Sequence, residues 1–240
     1  MTWIDRLGRL FVRGPKAPLS AEQKRRLEAW RALPAVALDQ PHYATRYVVA
    51  DVEASGLNML RDRLISIGAV GVNDGLIGNH DAFDEILRQE QVSATDNILL
   101  HGIGGSAQRD GRDPAEALLL FLEYCGKSPL VAFHAVFDQS MIERAMKEYL
   151  GLRFDQPWID LAWVMPELFR NVQSGVQTTL DFWLERFGID NFARHNAVAD
   201  SYATAKLLQV GLAAANAKGA DTPQALMEIE KGRRWRLRSG

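Results

Sequence analysis

Residues 46–58 read Arg46-Tyr-Val-Val-Ala-Asp51-Val-Glu53-Ala-Ser-Gly-Leu-Asn58. A β-branched and aromatic run carries straight into two carboxylates and breaks at Ser55-Gly56, which is the composition of a buried strand ending in a turn. Side chains alternate along a strand, so Asp51 and Glu53 point to the same face. Two carboxylates side by side just past apolar residues repel each other unless a cation sits between them. An isolated Asp-x-Glu is more often a solvated strand end, so a chemical reading requires partners elsewhere in the chain.

Working outward, Leu64–Val72 and Leu76–Leu87 read as the second and third strands, and Asn73-Asp74-Gly75 between them is a strong hairpin turn. Residues 88–112 read as irregular. The glycine-rich segment 102–111 follows no strand-to-helix phosphate-loop pattern and is not a nucleotide cradle. Pro114–Tyr124 is an amphipathic helix, and Pro129–Phe133 is a buried fourth strand that ends at His134. Asp138–Leu150 has helical spacing, Pro157–Ile159 is a short strand running into a helix from Asp160, Thr179–Phe187 is a further helix, and the last core helix starts near Asn196. The order β-β-β-α-β-α-β-α-α describes an α/β domain with a hairpin on one side of a parallel core.

Ahead of this body, residues 1–14 place Trp3, Ile4, Leu7, Leu10 and Phe11 at helical spacing among Arg6, Arg9 and Arg13. That pattern suits a helix folded onto the body, with membrane-interface or partner binding as alternatives. Ser20 opens a second helix running to about Arg31, and Pro34–Pro41 is a linker. The chain divides into an N-terminal helical extension and linker (1–44), a core domain (45–218) and a short basic C-terminal tail (219–240).

Composition narrows the function classes. At 240 residues and 47% hydrophobic content the chain can bury one good core. It has no apolar run long enough to span a membrane and no secretion signal at its start. A single cysteine, Cys125, fits a reducing cytoplasm. Residues 1–31 carry eight basic and three acidic side chains and residues 228–240 carry five and two, so with a total of −2 the segment between holds −10. An acidic body with basic ends suits a protein that holds cations centrally and meets a polyanion with its tails, although solvated tails give the same pattern. In the tail, the arginines with Trp235 could grip phosphate and stack a base, or form a disordered end.

Three more residues join the first pair. Asp138 follows the buried fourth strand at a helix start, a place where an acid also serves as a first-turn partner of the helix dipole. Asp200 lies in the first turns of a helix otherwise lined with alanine, tyrosine and leucine, and His195 precedes it in the loop. In an open α/β sheet the functional crevice lies at the carboxyl ends of the strands. Carboxylates gathered there form the standard two-metal device for in-line phosphoryl displacement, with Mg²⁺ or Mn²⁺ preferred by hard oxygen ligands and a mobile histidine able to deprotonate water.

The segments Asp51-Val-Glu-Ala-Ser-Gly-Leu, Phe133-His-Ala-Val-Phe-Asp138 and His195-Asn-Ala-Val-Ala-Asp200 resemble the three motifs of the DEDDh 3′–5′ exonucleases, the family of the DNA polymerase III epsilon subunit, ribonuclease T and oligoribonuclease. The resemblance covers about residues 45–213. It implies a ribonuclease-H-like mixed five-stranded sheet flanked by helices, and release of 5′-mononucleotides from 3′ ends of single-stranded DNA or RNA. It further implies two Mg²⁺ or Mn²⁺ ions held by Asp51, Glu53, Asp138 and Asp200, with His195 as general base. Ser55, Gly56 and Leu57 would meet the terminal nucleotide, His101 and Ile103 would line the other side of that pocket, and His134 would complete the substrate contacts. Two departures bear on rate and substrate preference: Ala54-Ser55 stands where most relatives have Thr-Thr, and Phe133-His134 where they have His-Asn. The alternatives are a proofreading or repair subunit bound to a polymerase, with the N-terminal helices as a candidate partner-binding element, or a catalytically silent nucleic-acid-binding scaffold.

Overall fold

The computed structural model describes residues 16–172, 179–191 and 193–239. The helix expected over residues 1–14 lies outside them. The first described helix, α1 (Ala21–Arg31), starts where expected: the Ser20 side chain accepts from the Gln23 amide, and the Gln23 side chain accepts from the Ser20 amide. This reciprocal pairing satisfies two amides that a helix start leaves orphaned. Arg26 then ties α1 to Glu116 and Glu123 of helix α4 (Pro114–Cys125).

Five strands form one sheet in the order β3-β2-β1-β4-β5: β1 (Tyr47–Ala54), β2 (Leu64–Asn73), β3 (Leu76–Ile86), β4 (Leu130–Ala132) and β5 (Trp158–Asp160). β1, β2 and β3 pair antiparallel, whereas β4 pairs parallel to both β1 and β5. Asp74 and Gly75 at the β2–β3 turn both have positive φ, 52° and 72°, which fits the tight two-residue turn that their sequence favours.

Alternation along β1 splits the core in two. Val48, Ala50 and Val52 face α4 (Pro114–Cys125) and α5 (Val136–Ala145), the latter extended through Leu150 by a π-helical turn. Tyr47 and Val49 face the opposite layer, built from α6 (Leu161–Leu168), α7 (Leu180–Phe187), α8 (Ala197–Asn216) and α9 (Pro223–Ser239). The result is the expected ribonuclease-H-like mixed sheet with helices on both faces. No described helix is long and apolar enough to cross a membrane.

Two expectations need correction. Residues 88–112 contain two short helices, α2 (Thr95–His101) and α3 (Gly105–Asp110), tied down by the buried Gln108 side chain, which bonds Ser93 and the Ile103 carbonyl. Neither has a side-chain cap, so neither announces itself locally. The C-terminal tail is not a disordered end. It forms α9, whose Arg233 and Arg236 pair with Glu167 and whose Arg234 pairs with Asp160 and Glu230, while Leu226 is buried. Trp235 on this helix stays 68% exposed.

Candidate active site

Asp51 and Glu53 occupy the last turns of the pleat in β1, on the face turned toward α8. Asp51 pairs across the ladder with Gly68 of β2. Glycine is required there by what lies above it: a Cβ on Gly68 would sit 2.2 Å from the Ala197 carbonyl carbon and the Val198 nitrogen. The backbone at the start of α8 thus rests directly on β2, and Ser201 Oγ donates to the Gly68 carbonyl at 3.0 Å. Asn196 caps the helix by accepting the Ala199 amide at 3.0 Å. One turn in, Asp200 projects beside the β1 carboxylates. Asp51, Glu53 and Asp200 each offer an oxygen, and these three atoms lie within 4.8 Å of one another.

Asp138, in the first turn of α5, comes from the opposite face of the sheet. Its Oδ1 accepts the Val52 amide at 3.1 Å, between the two β1 acids. Burial and crowding raise these groups. Glu53 is pushed up to about 8, first by burial and then by the charges of Asp200 and Asp138. Asp138 is raised to about 8 chiefly by burial. Asp51 is raised well above its ordinary value by burial and by Asp138, Asp200 and Glu53. Asp200 is better provided for: Arg194 Nη1 lies 2.6 Å and Asn191 Nδ2 2.5 Å from Oδ1, and the His195 amide donates to Oδ2 at 2.9 Å. Arg194 is also held by Asp181 at 2.9 Å. A guanidinium on the rim of an all-oxygen cluster marks it as a place where positive charge is favoured. Three hard oxygen donors at this spacing fit a divalent cation such as Mg²⁺ or Mn²⁺.

These shifts predict an unusual pH response. Carboxylates that are raised in the folded state bind more protons than in the unfolded chain, so stability falls as pH climbs from the ordinary value near 4.5 toward about 8. The metal-free protein is expected to show a higher Tm at pH 6 than at pH 8.5. Saturating Mg²⁺, which favours the ionised acids, should narrow that gap; a gap unchanged by Mg²⁺ would show that the cluster does not take the ion.

The other expected residues lie on the β1–β2 hairpin, at and after the end of α2, and just before α5 and α8. His195 has a left-handed backbone (φ 61°), and its exposed ring stands outside the carboxylate triple. Ser55 spends its hydroxyl on the hairpin that follows β1, accepting from the Arg63 amide and donating to Asp62. Gly56 lies where a Cβ would meet the Asp62 carboxylate at 2.5 Å, and Leu57 is 86% exposed. Asn97 of α2 donates to the Ser55 carbonyl, which joins the hairpin to the segment bearing His101 and Ile103. His101 is buried, its Nδ1 accepting the Ile103 amide at 3.0 Å, while its Nε2 has no partner among the described residues. His134 is exposed and also left-handed, at φ 64°.

Sequence reasoning did not single out Gly68, Asn191 or the pairing role of Arg194. A glycine inside a strand is a signal for close backbone approach, and Gly68 carries it. Nothing local marks the other two.

Known proteins share sequence and fold with this chain. The model of the RNase_T family, described as Exonuclease, matches residues 48–208. DNA polymerase III PolC-type of Bacillus subtilis is 32% identical over 174 residues, covering 72% of this chain and 12% of the polymerase. The PolC-type polymerase of Thermotoga petrophila is 29% identical over 161 residues, 67% of this chain and 11% of that protein. The chain therefore spans only about a tenth of the length of these curated relatives. Among solved structures, E. coli Exonuclease I in complex with a dT13 oligonucleotide aligns with a TM-score of 0.60 at 17% identity, over 72% of this chain and 42% of that one. Exonuclease X in complex with 5′ overhanging duplex DNA aligns at 0.58 and 21% identity, over 77% of this chain and 99% of that one. With the family model spanning all three acidic segments from β1 to α8, the chain belongs to the RNase_T exonuclease family.

Proposed function

We propose that this protein is a metal-dependent 3′–5′ exonuclease that releases 5′-mononucleotides from single-stranded nucleic acid ends. The observation that carries the reading is the all-oxygen cluster of Asp51, Glu53 and Asp200, with Asp138 next to it. In this reading the catalytic unit is residues 45–218 and works in the cytoplasm, with 1–44 and 219–240 as accessory segments. Asp51, Glu53 and Asp200, with Asp138 beside them, would hold two divalent cations, which would supply positive charge against the transferring phosphoryl group and acidify an attacking water.

The chain's own side chains do the rest. His195, on an exposed loop anchored through its amide to Asp200, removes the proton from the water at an imidazole nitrogen. Leu57, exposed at the hairpin tip, packs against the terminal base, and the Ser55–Gly56 backbone holds its sugar. His101, at the end of α2, and Ile103 just after it close the pocket, and His134 contacts the strand from the α5 side. Arg194, paired with Asp200 at the rim of the cluster, would offer its guanidinium to the phosphate. Replacing His195 by alanine is expected to lower kcat by about 10²–10⁴-fold. Mn²⁺ affinity should stay within about twofold; a large loss would make His195 a ligand rather than a base.

The reading is tested with 5′-labelled single-stranded DNA and RNA under Mg²⁺ or Mn²⁺. A ladder shortening from the 3′ end supports it and ranks the two substrates; uncut oligonucleotides under both ions sink it and favour a silent binding scaffold. A second reading, an editing subunit working beside a polymerase, is favoured by the PolC-type relatives. It requires faster removal of a mismatched than a matched 3′ nucleotide from a primer held by the polymerase.

A further inference from the structure

Helix α9 lies outside the segment matched by the family, which ends at residue 208. One of its side chains nevertheless pairs with Asp160, the residue that holds the turn leading into Asp138. Arg234 Nη2 pairs with Asp160 Oδ2 at 2.9 Å, its Nε pairs with Glu230 at 2.8 Å, and its guanidinium lies over the Trp163 ring, 4.5 Å from the centroid. Asp160, at the end of β5, is 2% exposed. Its other oxygen, Oδ1, accepts the His134 amide at 2.9 Å and the Ala162 amide at 3.0 Å. Glu230 of the same helix accepts the Asp160 amide at 2.9 Å. His134 is a non-glycine residue at φ 64°, a conformation that persists only where surrounding bonds impose it. Two residues later α5 begins, and its first turn carries Asp138, whose carboxylate is fixed on the Val52 amide between Asp51 and Glu53.

We infer that Arg234 is a positioning residue: through Asp160 and the left-handed turn at His134, α9 fixes Asp138 against β1 and so sets the geometry of the catalytic carboxylates. The physical basis is the buried charge of Asp160. Burial disfavours the charged form of Asp160 and Arg234 opposes that; without Arg234 the hold of Oδ1 on the two amides weakens, because a buried carboxylate without a counter-charge is costly. The turn at His134 then relaxes toward an ordinary backbone and carries the start of α5 with it. This inference rests on the exonuclease reading above for its catalytic consequence, but not for its structural one.

The test compares Arg234→Met with Arg233→Met, which breaks a pair between α9 and Glu167 at 3.0 Å without touching Asp160. Exchange of the His134 amide in the metal-free protein is read first. Arg234→Met is expected to speed it at least tenfold, and Arg233→Met to leave it unchanged even if Tm falls. In the Mg²⁺-loaded enzyme Arg234→Met should then lower kcat by about 10–100-fold and raise the Mg²⁺ concentration for half activity, with KM for the oligonucleotide nearly constant. Arg234→Lys, which keeps the charge, should restore part of both effects. Equal behaviour of the two methionine variants, or an unchanged His134 amide in Arg234→Met, overturns the inference. Should Arg234→Met fail to fold, Arg234→Lys and Asp160→Asn carry the same comparison. A wild-type protein without nuclease activity would remove the exonuclease reading while leaving the amide-exchange result to decide the positioning role.

Discussion

Asp200→Asn is expected to remove Mg²⁺-dependent hydrolysis by at least about 10³-fold while leaving the fold intact. Asp200 is the member of the carboxylate triple contributed by α8, and the other two come from β1. In the proposed reading, losing one anionic ligand at a site that stabilises developing charge costs several kcal/mol of transition-state stabilisation, and ~4 kcal/mol is about a thousandfold in rate. The stability change should run the other way. Asp200 is one of the charges that push Glu53 up to about 8, so the neutral amide relieves repulsion in the metal-free protein. Arg194 keeps Asp181 as a partner, so it is not stranded. The expected result is a Tm equal to or above that of the wild type, beside the loss of activity. A variant that loses activity and unfolds together would show that Asp200 is a structural residue.

Gly68→Ala is expected to be as damaging to activity through a residue that touches no substrate. The added methyl would lie 2.2 Å from backbone atoms of Ala197 and Val198, which cannot rotate away as a flexible side-chain tip can. Either α8 lifts from β2 or the strand bends, at a cost of about 3 kcal/mol. Lifting α8 carries Asp200 away from Asp51, the ladder partner of Gly68, so the triple opens. Denaturant unfolding should show the stability loss, and Mn²⁺ titration should show weaker binding than in the wild type. Retained stability together with wild-type Mn²⁺ affinity would mean that α8 does not depend on this contact.

Much of this molecule is legible in its sequence. Tyr47–Ala54, Leu64–Asn73 and Leu76–Ile86 are long strands whose composition and Asp74-Gly75 turn agree, so local and global preferences coincide. The acids are legible too, because a carboxylate at the end of an apolar run conflicts with burial unless it has a task. What stays hidden depends on partners far away in the chain. α2 and α3 lack capping side chains and are held by Gln108 and Asn97 reaching to other segments. The arginines of α9 suggest a solvated tail when read alone, and only the fold shows Asp160 and Glu167 waiting for them. Gly68 looks like any strand glycine until α8 is laid across it. Arg194 stands in plain sight next to His195, yet only the structure shows its guanidinium on Asp200.

The assembly of the carboxylate triple from β1 and α8 also orders events in time. During synthesis the chain presents Asp51 and Glu53 long before Asp200, and domains fold as units once their parts are available. A half-made chain therefore carries two of the three acids without the helix that completes them, and the cluster closes only when α8 docks on β2.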